Sequence, residues 1–509
     1  MNPIKTVKAS SFARRDFLKS LAAGSAALMA HRIGLAAPSS PASSGKPNIL
    51  VIMSDEYNGD ILSAAGNPVV KTPNLDALAR NGVLFENAYC NSPLCVPSRL
   101  SFTSGKYISR TGAWNNSSWL PSDDYPSLPR LLDEAGYETV LCGKMHYDTT
   151  RRYGFEKDIG PGNESNKDGK DRRCNPAKLD EVKRYSKRFD EFRVGNEEDN
   201  GGMRFDKRVT RAATRYLENR KGADKPFFML VGFLAPHYPL IIPEQYWKPY
   251  EGKVPMPEIP EGYLEALPTN YQVMRNMFKL EGVPDDLVKK GRELYYGYVT
   301  WHDKQVGKVL DALRKNDELN NTVIIYTSDH GENMGEHGLW WKNSGYDSST
   351  RVPLIISWPE RWRGDQRRLE ACSLVDVVQT IAELAGVEPP SDWDGDSLVD
   401  WLDNPQAPWK DMAVSQYYAH CIASGINMIR MGKYKYVYHN TADADHPAEE
   451  ELYDLSTDPQ ELNNLAGLPQ YKQIKEDMFA ALVEEVGENP EVTEMRCREE
   501  IAVGYNRNV

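Results

Sequence analysis

The stretch Asn48-Ile49-Leu50-Val51-Ile52-Met53-Ser54-Asp55-Glu56 decides the fold of this chain of 509 residues. Residues 48–53 form a nearly continuous apolar run of strand length. A run that does not alternate with polar residues is typical of a strand covered on both faces, as in parallel α/β sheets. The run ends at two carboxylates, Asp55 and Glu56. The stretch therefore predicts a central strand that presents acidic side chains at one edge of a sheet.

Three further apolar runs also end in ionisable residues. Residues 137–142 lead into Lys144 and His146, residues 227–234 into His237, and residues 322–326 into Asp329 and His330. In open α/β sheets ligands bind beyond the carboxyl ends of the strands, so we expect these side chains to meet Asp55 in one site. The alternative is that polar residues follow strands simply because loops are polar. Because four strands end in this way, we favour the interpretation that these residues form a functional site.

Helix signals alternate with these strands. Thr72-Pro73 supplies an N-cap and a first-turn proline to a helix that stops at Gly82, and Ser127 caps another that stops at Gly136. The alternation predicts a doubly wound α/β catalytic domain over residues 48–404. Beyond it, residues 426–438 predict a hairpin with Gly432 at the turn, and residues 471–486 predict an amphipathic helix. Residues 405–509 are therefore predicted to form a small α+β C-terminal domain.

The N-terminus reads as an export signal over residues 1–37. The run Arg14-Arg15-Asp16-Phe17-Leu18-Lys19 resembles the bacterial twin-arginine signal, and the following apolar stretch, residues 21–30, is too short to span a bilayer. A Ser/Pro/Gly/Ala linker follows at residues 38–47. We expect a bacterial periplasmic or secreted protein without a membrane span in its mature part. The alternative is an ordinary exposed basic N-terminus.

Charge and cysteine content limit the function classes. The formal net charge is −12. The predicted signal carries six Lys/Arg and one acidic residue, so the charge of the mature chain is −12 − 5 = −17. This balance argues against a nucleic-acid partner. Seven cysteines in so long an exported chain are too few for a disulfide framework, and their number is odd, so at least one has another role. The long charged segments 151–206 and 244–290 are predicted to form the rim of the site.

Cys95 is the cysteine with the most informative surroundings. Cys95-Val96-Pro97-Ser98-Arg99 reads as a helix start with Pro97 near the first position, where backbone amides favour an anion, and Arg99 adds a cation. Taken without its neighbours, Cys95 could equally be a small buried apolar residue.

The segment from Cys95 through Arg99 to Gly105 closely resembles the maturation signature of the type I, formylglycine-dependent sulfatases of the alkaline phosphatase superfamily. Residues 136–146 resemble the second signature of that family. Asp329-His330-Gly331, with Lys342 and Arg351-Val352-Pro353, resembles its third block, and residues 452–466 resemble its usual C-terminal segment. The resemblance covers nearly the whole mature chain. It implies a large central mixed, mainly parallel sheet flanked by helices, and a smaller C-terminal domain.

The resemblance also implies a mechanism. Cys95 would be oxidised by a formylglycine-generating maturation enzyme, and one hydroxyl of the hydrated aldehyde would attack sulfur while the other expels sulfate afterwards. Asp55, Asp329 and His330, with Cys95 and Glu56, would hold a divalent cation, with Ca²⁺ first and Mn²⁺ or Mg²⁺ as alternatives. Arg99 and Lys144 would steady charge and His146 would trigger collapse of the intermediate. His237 and Lys342 would neutralise or protonate the departing oxygen.

Two positions depart from the commonest family pattern. Glu56 stands where relatives mostly carry Asp or Gln, so its place among the ligands is open. His330 replaces a frequent Asn, and the Asp-His pair looks more like choline sulfatases and phosphonate monoester hydrolases; imidazole is also less typical of calcium than of manganese.

The substrate is expected to be a sulfated carbohydrate or a smaller sulfate ester. Charged rims fit a sulfated carbohydrate. Residues 68–76 and 91–95 look choline-sulfatase-like, and a cage of Trp114, Trp119, Trp340 or Trp341 would suit a quaternary ammonium ester. Choline or aryl sulfates are therefore alternatives, as are phosphate or phosphonate monoesters. An alternative from another class is a non-catalytic protein that binds sulfated glycans.

Overall fold

The apolar runs form the centre of a large sheet. The computed structural model describes residues 46–162, 173–179, 181–220 and 222–503. The strands are β1 Asn48–Asp55, β2 Val83–Tyr89, β3 Glu138–Gly143, β4 Lys157–Asp158, β5 Arg193–Val194, β6 Phe227–Pro236, β7 Ile241–Ile242, β8 Thr322–Ser328, β9 Arg351–Ser357, β10 Gln366–Ser373, β11 Met412–Tyr417, β12 Ile426–Met431, β13 Tyr434–His439 and β14 Glu449–Asp454. The predicted export signal and residues 38–45 of the predicted linker lie outside the described residues.

Helices separate most of these strands. They are α1 Pro73–Arg80, α2 Cys95–Ser104, α3 Ile108–Thr111, α4 Leu128–Glu134, α5 Gly201–Glu218, α6 Glu244–Trp247, α7 Thr269–Met277, α8 Asp285–Lys315, α9 Asp347–Thr350, α10 Leu374–Leu384, α11 Val399–Asp403, α12 Lys472–Val486 and α13 Pro490–Ala502. None of the helices in the described part of the chain is both long enough and apolar enough to cross a membrane.

The large sheet has the order β10-β2-β9-β8-β1-β6-β3-β4. Strand β9 runs antiparallel to its neighbours β2 and β8, and the other pairings are parallel. The sheet is therefore mixed and mainly parallel, as the sequence predicts. Successive residues of β1 point into two different cores, because Leu50 and Ile52 pack in one apolar cluster and Ile49, Val51 and Met53 in another. Burial on both faces explains why β1 shows no apolar-polar alternation.

The strand register aligns the ends of the central strands. Ser54 of β1 lies opposite Ser328 of β8, and Asp55 lies opposite Pro236 of β6. Gly143, the last residue of β3, pairs with Gly232 of β6. The loops that carry Lys144, His237 and Asp329 therefore leave the sheet at the same edge as Asp55, so the predicted convergence of the strand ends is confirmed.

The C-terminal part forms a second, smaller sheet in the order β11-β12-β13-β14, and all its pairings are antiparallel. Gly432, with φ 51°, lies at the turn of the predicted hairpin between β12 and β13. Helix α12 packs Met478, Leu482 and Val486 against this sheet. The predicted hairpin and amphipathic helix are confirmed. The boundary proposed at residue 404 stays a prediction.

One predicted cap is wrong. Thr72 lies at the N-cap position of α1, but its side chain bonds no helix amide, and its hydroxyl donates to Asp76 at 3.0 Å. The first-turn amides of Asn74 and Leu75 instead donate to Asp303 of α8, at 3.1 and 2.9 Å. The cap comes from a residue distant in sequence, and local spacing does not reveal it. The predicted Ser127 cap of α4 is confirmed, since its hydroxyl accepts from the Arg130 amide.

Candidate active site

Cys95 is the first residue of α2 and is buried at the edge where the central strands end. Pro97 lies two residues further on, inside the first turn, where the missing amide hydrogen costs nothing. The Ser98 hydroxyl donates to the backbone carbonyl of Asp329 at 2.6 Å, which fastens the helix to the loop after β8. The helix start therefore fixes the Cys95 thiol beside the acidic loop.

Three predicted site residues surround the Cys95 sulfur. Its Sγ lies 3.2 Å from His330 Nε2, 3.4 Å from Lys342 Nζ and 3.8 Å from Asp55 Oδ1. Asp55 ends β1, whereas His330 and Lys342 both lie in the connection between β8 and β9. The structure thus brings the predicted nucleophile, two predicted metal ligands and a predicted cation into one cluster.

Arg99 joins the two aspartates behind the cysteine. Its Nε donates to Asp329 Oδ2 at 2.8 Å and its Nη2 to Asp55 Oδ2 at 3.1 Å. A further guanidinium N–H donates to the Lys144 carbonyl at 2.7 Å, and the side chain is fully buried. The planar guanidinium supplies several fixed donors, so it can bridge two carboxylates without moving.

Lys144 reaches the same aspartate from β3. Its ammonium forms an ion pair with Asp55 Oδ2. Two glycines permit this approach: an added Cβ at Gly232 would meet the Lys144 carbonyl oxygen at 1.9 Å, and one at Gly143, which has φ 94°, would meet the Gly232 oxygen at 2.3 Å. The glycine pair lets the β3 loop lie against β6 and brings Lys144 close to Asp55.

Glu56 forms a second cluster beside the first. Its Oε2 lies 3.1 Å from His237 Nε2 and 3.2 Å from Lys342 Nζ. Glu56 has φ 63°, in the left-handed region, and the Tyr295 hydroxyl donates to its carbonyl at 2.6 Å. The strained backbone turns the carboxylate toward His237 and Lys342.

His146 is half-buried and also has a left-handed backbone, with φ 60°. Burial lowers its pKa, and a hydrogen bond to Cys95 opposes that shift. Its Nδ1 has no hydrogen-bond partner among the described residues. The imidazole therefore stands next to Cys95 with one nitrogen available.

The electrostatics of Cys95 differ from those of Cys90, five residues earlier. Burial and Asp55 oppose ionisation of the Cys95 thiol, but Lys144, Lys342 and His330 hold its pKa well below the usual range. Burial raises the pKa of Cys90 far above the usual range. Both thiols are buried, and the cations around Cys95 make the difference.

The acids of the site differ in the same way. Burial opposes ionisation of Asp55, yet Lys144, His237, Arg99 and Lys342 keep its pKa well below the usual range. Burial raises the pKa of Asp329 to about 6; Asp55 adds to this rise and Arg99 opposes it. Because these two carboxylates are buried close together, both can be ionised only if positive charge lies nearby.

The donor set fits a divalent cation. Asp55, Cys95, Asp329 and His330 each offer a ligand atom within 4.8 Å of the others, and Asp55, Glu56 and His237 form a second such group. His330 Nδ1 donates to the Gly331 carbonyl at 3.0 Å, which leaves Nε2, 3.2 Å from the Cys95 sulfur, as the ring nitrogen that could bind a cation. Glu56 Oε1 is buried without a hydrogen-bond partner among the described residues. These oxygens and this nitrogen suit a cation such as calcium or manganese.

Glu332 is a site residue that the sequence analysis missed. Burial and the neighbouring Glu56 carboxylate raise its pKa well above the usual range. Its Oε1 accepts from the amides of Met334 at 2.9 Å and Trp341 at 2.6 Å, which fixes the loop that carries Lys342. Its place three residues after Asp329, in an otherwise recognised motif, is the signal that could have identified it.

The tryptophans considered for a cage do not form one. Trp340 and Trp341 are almost fully buried, and Phe189 packs against both. Trp114 packs on Tyr418, and Trp119 lies beside Arg151. The guanidinium of Arg188 already lies 4.8 Å from the ring centre of Trp341. A quaternary ammonium would have to displace that cation to use this ring.

Two family models match the chain. The model described as Sulfatase matches residues 47–387, and the model described as N-sulphoglucosamine sulphohydrolase, C-terminal, matches residues 335–488. The first match includes β1, α2 and the loops after β3, β6 and β8. It therefore contains every residue of the two clusters described above.

Named proteins match over most of the chain. A choline-sulfatase of Rhizobium meliloti is 33% identical over 84% of this chain and 83% of its own length. An N-acetylglucosamine-6-O-sulfatase of Bacteroides thetaiotaomicron is 28% identical, over 86% of each. Among solved structures, the phosphonate monoester hydrolase of Agrobacterium radiobacter superposes with a TM-score of 0.68 at 24% identity, over 87% of this chain and 96% of that one. The last match supports the fold.

Proposed function

Because this chain belongs to the sulfatase family and is a sulfuric ester hydrolase, we propose that its nucleophile is a formylglycine made from Cys95. The observation that carries the proposal is the position of the Cys95 sulfur, which lies within 3.8 Å of an aspartate, a histidine and a lysine. A residue that merely filled the core would not need this set of charged neighbours. The proposal includes a maturation enzyme as a partner that oxidises Cys95.

The aldehyde chemistry suits this pocket. One hydroxyl of the hydrated aldehyde attacks sulfur, and loss of a proton from the other expels sulfate and restores the aldehyde, so water never attacks an anionic sulfur directly. We assign removal of that proton to His146, whose side chain is hydrogen-bonded to Cys95 and whose pKa is lowered by burial. Arg99 and Lys144 keep Asp55 ionised beside the nucleophile.

His237 and Lys342 are proposed to neutralise or protonate the departing oxygen. Both are more exposed than the residues behind them: the side chain of His237 is 29% exposed, and that of Arg99 is 0% exposed. Lys342 Nζ lies between Glu56 and the Cys95 sulfur, so it can contact a group attached at Cys95. A cation in this place stabilises negative charge on the leaving oxygen.

The proposed metal ligands are Asp55, Asp329, His330 and the side chain at position 95. Bound there, a divalent cation would polarise a sulfate oxygen and favour ionisation of the nucleophile. Glu56 belongs to the other cluster, with Asp55 and His237. We therefore propose that Glu56 acts mainly on His237 and Lys342, with calcium as the first candidate metal and manganese or magnesium as alternatives.

The proposed substrate is a sulfated carbohydrate. A relative that is named an N-acetylglucosamine-6-O-sulfatase supports this class. Choline sulfate is a second candidate because a relative that is named a choline-sulfatase is 33% identical to this chain. The burial of Trp340 and Trp341, and Arg188 over the Trp341 ring, argue against an aromatic cage for choline.

Mass spectrometry of the peptide that contains Cys95 tests the proposal directly. We expect replacement of the thiol by an aldehyde in the purified enzyme, and hydrolysis of sulfated mono- and oligosaccharides that Cys95→Ala abolishes. Cys90→Ala is the matched control, because Cys90 is equally buried but lies outside the cluster. An unmodified Cys95 in an active enzyme would refute the formylglycine nucleophile. Undiminished glycan binding without hydrolysis would instead support the non-catalytic alternative.

A phosphate or phosphonate monoester hydrolase is the rival reaction. The Asp329-His330 pair favours it, because His330 presents Nε2 to the cluster where many sulfatases carry an asparagine amide. Comparing kcat/KM for 4-nitrophenyl sulfate, phosphate and phenylphosphonate separates the two. We expect the sulfate ester to be preferred, and a preference for either phosphorus ester would reverse the assignment.

Export by a twin-arginine route is also proposed, on residues 14–19 of the sequence. Replacing Arg14-Arg15 by two lysines should retain the protein in the cytoplasm of an expressing bacterium, while the unchanged chain reaches the periplasm. Equal export of both chains would contradict this route.

A further inference from the structure

Helix α5 carries a row of four arginines: Arg204, Arg208, Arg211 and Arg215. Their spacings of four, three and four residues place them on one face of the helix, and all four are exposed. The opposite face packs Met203, Val209, Ala213 and Leu217 into the core. We call these four residues the α5 arginine row.

Ion pairs within the protein do not explain the row. Within the described residues, Arg208, Arg211 and Arg215 form no ion pair, although exposed acids are plentiful in a chain with a net charge of −12. Like charges three or four residues apart on a helix destabilise it. A concentrated positive row in an acidic protein therefore indicates an anionic ligand.

A groove of about 690 Å³ lies beside the row. Its lining contains five cations, Lys157, Arg208, Arg211, Arg215 and Arg220, and one carboxylate, Glu138. Glu138 is already held by Lys157 at 2.6 Å and by Arg220 at 2.7 Å. Arg208, Arg211 and Arg215 are thus left to face the groove. Its volume is that of a site for a small or oligomeric ligand.

A second groove of about 400 Å³ lies on the other side of the row and shares Arg211. Lys207, Lys308 and Lys315 line it, together with two acids, Glu218 and Asp311. Lys207 is paired with Glu197 and Glu198, and Lys315 with Glu218, so Lys308 is the cation that this groove adds to the row. A surface of this extent suits a chain-like anion better than a single small one.

The row leads away from the candidate active site. Near the start of α5, Asp206 accepts from the amides of Leu234 and Ala235, both at 2.8 Å, just before His237. Near its end, Arg220 reaches Glu138 at the first residue of β3, at the opposite edge of the sheet. The 18 residues of the helix span about 27 Å. A polymer whose sulfated group occupies the active site could thus extend along this helix.

We propose that the α5 arginine row and its groove bind an anionic segment of a polymeric, sulfated or uronate-bearing carbohydrate while another sulfate of the same chain is hydrolysed. This rests on the proposed carbohydrate sulfatase function. Guanidinium groups bind sulfate and carboxylate through paired hydrogen bonds, and the Tyr216 ring with Ile159 and Ala212 offers apolar surface for sugar rings.

Binding is measured on the Cys95→Ala protein, so that hydrolysis plays no part. The probes are sulfated dextran, neutral dextran and a DNA duplex of similar charge. We expect sulfated dextran alone to bind well. Arg211→Ala with Arg215→Ala should weaken its binding about tenfold, since each exposed ion pair contributes modestly. The matched control, Arg363→Ala with Lys472→Ala, removes two exposed cations on other elements and should change binding less than twofold.

Three binding results would overturn the inference: equal affinity of the α5 variant and its parent, equal loss in the control variant, or DNA binding as tight as that of sulfated dextran. The thermal midpoint of the α5 variant should stay the same or rise, because like-charge repulsion is removed. A lowered midpoint would indicate a structural role for the arginines and would also overturn it.

Kinetics separate this inference from the proposed function. In the enzyme with Cys95 intact, the α5 variant should keep kcat/KM for 4-nitrophenyl sulfate and show a severalfold higher KM for a sulfated polysaccharide. An equal loss on both substrates would refute a role confined to polymer binding. If no sulfate ester is hydrolysed at all, the proposed function fails, while the binding measurement on Cys95→Ala still decides whether the groove holds a sulfated glycan.

Discussion

Replacing Lys435 by methionine should destabilise the protein and loosen the contact between the C-terminal sheet and the active-site loops. Lys435 is fully buried in β13. Its Nζ lies 2.7 Å from Asp347 Oδ1 and 2.7 Å from Glu461 Oε1. Asp347 begins α9, where the Ser349 carbonyl accepts from the Gly331 amide at 2.8 Å, directly after His330. The lysine therefore ties the second sheet to the loop of the proposed metal ligands.

The expected loss of stability depends on which cation Asp347 and Glu461 each keep in the Lys435→Met variant. Asp347 still faces Arg351 at 3.1 Å, but Glu461, 2% exposed, has no other cation within ion-pair distance among the described residues. Leaving one buried carboxylate uncompensated costs about 3 kcal/mol. The unfolding entropy is about 2.1 cal/mol/K per residue, hence about 1 kcal/mol/K for this chain, so Tm should fall by about 3 °C.

The loss should depend on pH. Burial raises the pKa of Glu461 to about 7, although Lys435 opposes the rise, so this group binds a proton more tightly in the folded than in the unfolded state. Such a group favours folding at low pH. Its contribution to stability falls as the pH rises from its pKa in the unfolded chain, about 4.3, through its higher pKa in the folded protein. Without Lys435 the folded pKa rises further. The penalty should therefore shrink to roughly 1 kcal/mol at pH 5, where Glu461 is protonated.

Urea unfolding at pH 8 and at pH 5, with calorimetry for Tm, measures this. The control is Lys433→Met, two residues earlier, because Lys433 is 47% exposed, and its buried partner Asp454 still accepts from the Ser456 amide at 3.1 Å. That substitution should cost less than about 1 kcal/mol at either pH. A Lys435→Met variant within 1 kcal/mol of the parent at pH 8, or one that loses more at pH 5, would refute the reasoning.

Three further predictions concern the site and its scaffold. Lys342→Met removes the cation 3.4 Å from Cys95 and should lower kcat for 4-nitrophenyl sulfate by about 10²–10³; an unchanged kcat would contradict it. A chelator that removes the proposed metal should lower Tm by about 3 °C if the free ion is normally about 100-fold above its Kd, and added calcium should restore Tm. Asp303→Ala uncaps α1 and should cost about 2 kcal/mol in urea unfolding, whereas Asp311→Ala, exposed on the same helix, should cost less than about 0.5 kcal/mol.

Sequence reasoning predicted the sheet edge because β1, β3, β6 and β8 are central strands whose position in the sheet requires apolar residues. Burial on both faces requires continuous apolar residues, and the first polar residue after such a run lies at the edge. The positions of Asp55, Lys144, His237 and Asp329 relative to the sheet follow from that rule. The structure brings their side chains together around Asp55 and Cys95, and their chemical roles stay a proposal.

Sequence reasoning missed the features that depend on long-range contacts. Helix α8, 31 residues long, buries polar residues such as His302 and Asp303, so its apolar periodicity is broken. The Asp303 cap of α1 joins residues 228 positions apart. Glu332 was passed over because a glutamate in a polar loop gives no sign that it is buried. In each case a tertiary partner, rather than local spacing, decides what the residue does.

The basic side chains of the site divide into two groups with different consequences. Arg99 and Lys144 are at most 2% exposed and are paired with Asp55, which Arg99 links to Asp329. Lys342 and His237 instead pair with Glu56 and are more exposed. An entering anion competes only with Glu56 for Lys342 and His237, which we call the front pair. It cannot pair with Arg99 and Lys144, the rear pair, without leaving the buried Asp55 and Asp329 uncompensated. We therefore propose that the rear pair holds the two aspartates in place, and that the front pair, released from Glu56, is the one that meets the substrate. Glu56, which departs from the family pattern, groups with Asp55 and His237 and not with Asp329 and His330, so we propose that its carboxylate holds Lys342 and His237 until the substrate arrives.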